Sequence, residues 1–169
     1  MNMIITLEQA IQKLKNKQPV ILFDVDGENE GDLVYPAEII DYNTIKFMMN
    51  YCKGIICQTL PENHLKRLGI PVFQKIGSNI TGQTNFAYPV DHKNSQTGIS
   101  CQDRVMIIKE LIKNNNSDNI VIPGHQNLLK VSPGGLASRQ GHTESSTELV
   151  KMAGFYPSAV ICELIDDEG

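Results

Sequence analysis

The stretch FDVDGENEGDL, residues 23–33, carries an acid at every second position: Asp24, Asp26, Glu28, Glu30 and Asp32. As a strand it would turn all five carboxylates to one face, because successive side chains alternate. Same-face neighbours would stand about 6.6 Å apart. At an effective dielectric of about 20, each such pair repels by roughly 2.5 kcal/mol. Three readings answer that repulsion. A solvated acidic face would be screened by salt. A calcium loop opens with D-x-D-G, but Asn29 stands where the loop needs glycine and Tyr35 where it needs glutamate. The third is a hard cation or a cationic transition state held by a subset of the acids, next to Gly27 and Gly31, which let a ligand approach the backbone.

The flanks of this stretch set the fold class. PVILFDVD reads as a buried strand that turns acidic at its end, and DLVYPAEII as a second strand with Pro36 near an edge or bulge. Upstream, TLEQAIQKLKNKQ predicts an amphipathic helix with Thr6 as N-cap and Leu7, Ile11 and Leu14 on one face. Downstream, NTIKFMMNYC reads as a helix, KGIICQTL as a strand, and PENHLKRLG as a short helix between Pro61 and Gly69. TNFAYPV is one strand between loops. Ser100 and Asp103 form a capping-box-like pair ahead of a helix whose core face is Val105, Ile108, Leu111 and Ile112. IVIPGH is a strand running into a turn, HTESSTELVKMAG a helix stopped by Gly154, and SAVICELIDDEG a closing strand. Strands and helices mix without clean βαβ alternation, so the expected class is α+β, or a complex α/β fold, in a single domain over residues 1–169.

Composition excludes several classes. The net charge of −4 argues against a nucleic-acid partner. The longest apolar runs, VILF and AVIC, are too short to span a bilayer. No basic segment followed by a long apolar core suggests export, so a cytoplasmic protein with reduced cysteines is expected. The four cysteines include no CxxC pair, which argues against structural zinc.

Several polar clusters could carry chemistry. SRQGHTE sets Arg139, His142 and Thr143 at a helix start, where backbone N–H groups and an arginine attract phosphate; an ordinary helix cap would look the same. His125 lies in IPGHQN after an apolar strand. Thr97 and Gly98, in SQTGISCQDR, could touch an anion. Glu163 alternates with Cys162 and Leu164 and is expected to be half-buried.

Taken together, ENEGDL, TGIS with QDR, PGH, R with GHTE, and AGFYPSAVICELIDDEG resemble, in order and spacing, the 3,4-dihydroxy-2-butanone 4-phosphate synthase family of riboflavin biosynthesis. The resemblance runs from about Leu7 to Gly169. It implies a complex α+β homodimer with active sites shared between subunits. It also implies an Mg²⁺-dependent (or Mn²⁺-dependent) lyase that converts D-ribulose 5-phosphate to 3,4-dihydroxy-2-butanone 4-phosphate, releasing C4 as formate. Carried over residue by residue, Glu28 and His142 would bind the metal. Asp32, Arg139, Gln140, Gly141, Thr143 and Glu163 would surround the substrate. His125 and Glu163 match positions the family needs for activity, and Cys57 and Thr97 match positions near the pocket. Glu30 and Asp32 would handle sugar hydroxyls and protons. The family pattern D-R-E-N-E-G-D has an arginine where this chain has Gly27, and QNLL follows PGH where the family has an aromatic and then Pro-Leu. These departures keep two alternatives open: a diverged paralogue acting on a related sugar phosphate, or a catalytically silent sugar-phosphate-binding subunit.

Overall fold

The computed structural model describes residues 4–25, 29–74, 84–113 and 116–166. Helix α1 (Leu7–Lys15) starts at the expected cap. Thr6 Oγ1 accepts from the Gln9 amide at 3.3 Å, and Gln9 Oε1 accepts from the Thr6 amide at 2.9 Å. This reciprocal pair satisfies two of the helix's orphan donors.

Strands β1 (Val20–Phe23) and β2 (Gly31–Pro36) follow and pair antiparallel, with Phe23 opposite Gly31. The acidic stretch is therefore the connection of a hairpin, not one strand. The Asp24 amide donates to the Glu30 carbonyl at 3.1 Å across its mouth, and Asn29 adopts a φ of 55°. Asparagine tolerates this left-handed conformation better than most residues. Among the described acids of this stretch, Asp32 stands on β2 while Asp24 and Glu30 lie in the connection, so these three do not share one face of a single strand. Asp26, Gly27 and Glu28 fall outside the described residues. β1 is also less buried than its composition suggests: it is an edge strand, with Ile21 and Phe23 more than half exposed. β2 is the interior neighbour and is buried throughout, with Pro36 at its end.

The remaining elements are α2 (Tyr42–Phe47), which continues as a wider π-turn over Met48–Cys52, then β3 (Cys57–Pro61), α3 (Glu62–Arg67), β4 (Phe86–His92), α4 (Cys101–Lys113), β5 (Ile120–Val131), α5 (His142–Met152) and β6 (Ala159–Glu163). The six strands form one mixed sheet in the order β1-β2-β6-β3-β5-β4, antiparallel except for the β3–β5 pair. Pro123 and Gly124 do not end their strand in a turn. β5 runs through them, and the register against β4 shifts between Ala87 and Val90 and between Val90 and Asp91. Gly124 is required here, since a Cβ would lie 2.1 Å from the Val90 carbonyl carbon.

Alternation along the strands sorts the core into two layers. Leu33, Tyr35, Val160 and Cys162 turn to the side covered by α2, the π-turn and α4, where they pack with Ile45, Met48 and Ile108. Val34, Cys57, Ala159 and Ile161 turn to the other side, against Leu14 of α1 and Leu149, Val150 and Ala153 of α5. Under α3 and α4, Leu60, Leu65, Ile107, Leu111 and Leu128 form a third cluster. A mixed sheet with helices on both faces fits the expected complex α/β class. No helix among the described residues is long and apolar enough to cross a membrane.

Candidate active site

The β2–β6 register places Asp32 directly opposite Glu163. Their neighbours Leu33 and Cys162 face the α2–α4 layer, so both carboxylates point to the α5 side. Two acids directly opposed across strands repel unless something positive lies between them. His142, the first residue of α5, lies beside them: its Nδ1 is 3.2 Å from Asp32 Oδ2. Asp32 Oδ1 is buried with no hydrogen-bond partner among the described residues. Such an atom is expensive to leave unsatisfied, and it marks a place for an incoming proton, hydroxyl or cation.

A cleft opens at this point, lined among others by Glu30, Asp32, Cys57, Thr84, Arg139, His142, Thr143 and Glu163. Seven residues proposed from the sequence thus meet in one place. Glu163 is half-buried, as expected, and its Oε2 accepts from the Ile55 amide at 3.0 Å. Gly54 permits this approach: a Cβ there would sit 2.7 Å from Glu163 Cβ and 2.9 Å from Oε2. Arg139 is aimed by a buried acid. Its Nη1 donates to Glu144 Oε2 at 2.6 Å and its Nη2 to Thr84 Oγ1 at 3.1 Å, while Glu144 Oε1 accepts from the Ser132 amide at 3.0 Å. Gly141 leaves room for this placement of the guanidinium, since a Cβ there would lie 2.3 Å from Arg139 Nη1 and would displace it. Glu30 is exposed, and so is Gln140, which does not line the cleft.

Cys57 lines the cleft as a neutral thiol. Burial, reinforced by the nearby charges of Glu163 and Asp32, pushes its pKa up to about 12. It therefore carries no thiolate at neutral pH, and its contribution is shape and a weak S–H donor rather than nucleophilicity.

His125 and Thr97 do not line this cleft. They belong to a second, more exposed cluster. His125 Nδ1 meets Asp91 Oδ2 at 2.7 Å, and its backbone amide donates to Asp91 Oδ1 at 3.0 Å. The loop amides suggested above as an anion site already have an anion. Asp103 accepts from Gln96 at 3.3 Å, Thr97 at 3.2 Å and Gly98 at 3.1 Å. Burial alone would raise the Asp103 pKa, but hydrogen bonds from Ser100 and these three amides outweigh it and hold the carboxyl below its ordinary value. Ser100 caps α4 as predicted, donor Asp103 N–H to Oγ at 3.1 Å.

Sequence reasoning did not single out Gly54, Thr84, Asp91 or Glu144. Glu144 was visible within RQGHTE, three residues past Gly141. Asp91 and Gly54 give no local signal, since their partners His125 and Glu163 come from distant elements.

Carboxylate oxygens with one imidazole are a donor set suited to a hard divalent cation. With Nδ1 of His142 held by Asp32, coordination by that ring would fall to Nε2, and the carboxylate would fix its orientation. Among the described residues no group of three or more His, Cys, Asp or Glu side chains is gathered as a complete ligand set, and Glu28 lies outside them.

A family model described as 3,4-dihydroxy-2-butanone 4-phosphate synthase matches residues 8–169. A protein of that name from Syntrophotalea carbinolica is 38% identical over 164 residues, covering 95% of this chain and 75% of the relative. A riboflavin biosynthesis protein from Staphylococcus epidermidis is 37% identical over 166 residues, covering 97% of this chain but 42% of its own length. Among solved structures, a two-domain 3,4-dihydroxy-2-butanone 4-phosphate synthase from A. baumannii superposes with a TM-score of 0.90 at 34% identity, over 98% of this chain and 49% of that one. Another synthase of the same name, in complex with two magnesium ions, gives 0.89 at 32% identity, over 97% and 77%.

Proposed function

Because this chain belongs to the 3,4-dihydroxy-2-butanone 4-phosphate synthase family, we propose that it converts D-ribulose 5-phosphate to 3,4-dihydroxy-2-butanone 4-phosphate and formate. The observation that carries this reading is the opposition of Asp32 and Glu163 beneath the start of α5, with Arg139 and His142 in the same cleft. A ketose phosphate needs an anchor for its phosphate and carboxylates beside its carbonyl carbon. Arg139, held by Glu144, is the anchor. Asp32 and Glu163 are the groups that take and return protons next to the ketone and at the hydroxyls, with Glu30 at the rim. Thr143 and Cys57 shape the wall. Glu28 and His142 are the residues that would hold Mg²⁺, or Mn²⁺, whose positive charge would polarise the substrate's carbonyl oxygen. The neighbour solved with two magnesium ions supports magnesium.

The reading includes a cytoplasmic homodimer with shared active sites. Two observations favour the shared sites. His125 and Thr97 stand outside the cleft that holds the other candidates, so a second copy could bring them to it. Large apolar side chains are also exposed beside that cluster, among them Ile99, next to Gly98, and Val121 and Ile122, Val121 pairing with Asp91. Gly27, where the family has arginine, leaves two other readings: a diverged paralogue with altered chemistry on a related sugar phosphate, and a catalytically silent sugar-phosphate-binding subunit.

The test is incubation with D-ribulose 5-phosphate and Mg²⁺, following formate and the four-carbon product by NMR. The expected result is both products, with turnover abolished by chelation and by Glu28→Gln. A different product would replace the reading with the diverged one. Binding without turnover would make the chain a silent sugar-phosphate-binding subunit.

A further inference from the structure

His125 is not alone in its cluster. Asp91, on the neighbouring strand β4, meets it twice, through Oδ2 to the ring Nδ1 at 2.7 Å and through Oδ1 to the backbone amide at 3.0 Å. The two-point contact fixes the carboxylate relative to the ring. The bulged register of β4 against β5 makes it possible, since it is at Val90 and Asp91 that the pairing slips. Gly98 closes over the pair so tightly that a Cβ would fall 2.5 Å from both Asp91 oxygens and from His125 Nδ1. The far edge of the imidazole is open, with about half of the His125 side chain exposed against 16% for Asp91.

An ionised carboxylate can only accept hydrogen bonds, so the ring nitrogen facing it must carry the hydrogen. In neutral His125 the proton then resides on Nδ1, and Nε2, on the open side, presents its lone pair. We infer that Asp91 is a positioning residue that holds His125 in the Nδ1–H tautomer, with Nε2 as the atom that takes and returns a proton during turnover. The inference rests on the proposed lyase reaction for the proton transfer, but its geometric half does not depend on that reaction.

Asp91→Asn is the informative variant. Asparagine is isosteric: its Oδ1 can still accept from the His125 amide, while its Nδ2 donates to Nδ1 and drives the ring proton to Nε2. The fold is retained and the tautomer is inverted. Long-range ¹H–¹⁵N NMR of the imidazoles, in the full chain at a pH where His125 is neutral, reads the tautomer directly. The expected result is Nδ1–H in the wild type and Nε2–H in Asp91→Asn. kcat should fall about 100-fold or more, the lower range of a general acid–base contribution, with KM for D-ribulose 5-phosphate unchanged within about twofold. A wild-type ring protonated on Nε2 overturns the inference. So does an inverted tautomer with unchanged kcat, or a loss that appears in KM instead. If the wild-type chain turns over no D-ribulose 5-phosphate, the proposed reaction falls, while the tautomer measurement still decides whether Asp91 sets the ring.

Discussion

Replacing Glu144 by alanine tests how Arg139 is held. The Glu144 side chain is fully buried and Arg139 is 16% exposed, so this is an interior ion pair rather than a surface one. Removing one partner of such a pair costs about 3–5 kcal/mol, because the other charge loses a buried counter-charge. The exposed edge of Arg139 lets water recover part of that, which favours the lower end, about 3 kcal/mol. The Ser132 amide loses its acceptor as well, a further ~1 kcal/mol. Glu144→Ala should therefore lose about 4 kcal/mol. For a chain of this size that corresponds to a Tm roughly 8–16 °C lower. Urea unfolding of wild type, Glu144→Ala, Arg139→Ala and the double variant gives the measurement. The double variant should be less destabilised than the sum of the singles by about 2 kcal/mol, since it buries no uncompensated charge. A Glu144→Ala loss below about 1 kcal/mol, or strict additivity in the cycle, would refute the account of Arg139 as a residue aimed by its buried partner.

Two other outcomes are expected. Gly54→Ala would push against the backbone and side chain of Glu163; overpacking of this kind costs about 1–3 kcal/mol, and displacement of the acid should lower kcat about 100-fold, so steady-state kinetics near wild type would reject the packing argument. Asp103 has its pKa held below the ordinary value in the folded chain, so its stabilising contribution is present above the unfolded carboxylate range of about 3.9 and is lost as pH falls through the depressed folded value. Hydrogen exchange should show the Thr97 and Gly98 amides losing protection in that acid window, beyond the intrinsic change in exchange rate. Asp103→Asn should remove this pH dependence; an unchanged acid transition in the variant would show that the carboxyl does not hold the loop.

Local signals were read well because their causes are local. The Thr6 N-cap, the Ser100 cap and the left-handed stops at Gly69 and Gly154 depend on a few neighbouring residues, and all four stand where the sequence put them. The start of α5 beside Arg139 followed from the same kind of pattern, and so did Ile108 and Leu111 on the buried face of α4, where Ile107 is also buried and Val105 and Ile112 are only partly so. The motifs that carry the family resemblance also need only the order of residues along the chain.

The three-dimensional arrangement of the chemistry was decided by contacts between distant segments. An alternation of acids reads as one strand until β1 and β2 pair, after which Phe23 faces Gly31 and only Asp32 of the described acids remains on a strand. Asp32 meets Glu163 because β2 lies against β6, a register set by which residues of both strands must face the two helical layers. The neutral state of Cys57 is likewise a property of its surroundings, since burial and two neighbouring acids raise its pKa. Which side chains could do the work was written in residue type and order; which of them meet was decided by strand pairing and burial, because charge, protonation and reach depend on neighbours that only the folded chain supplies.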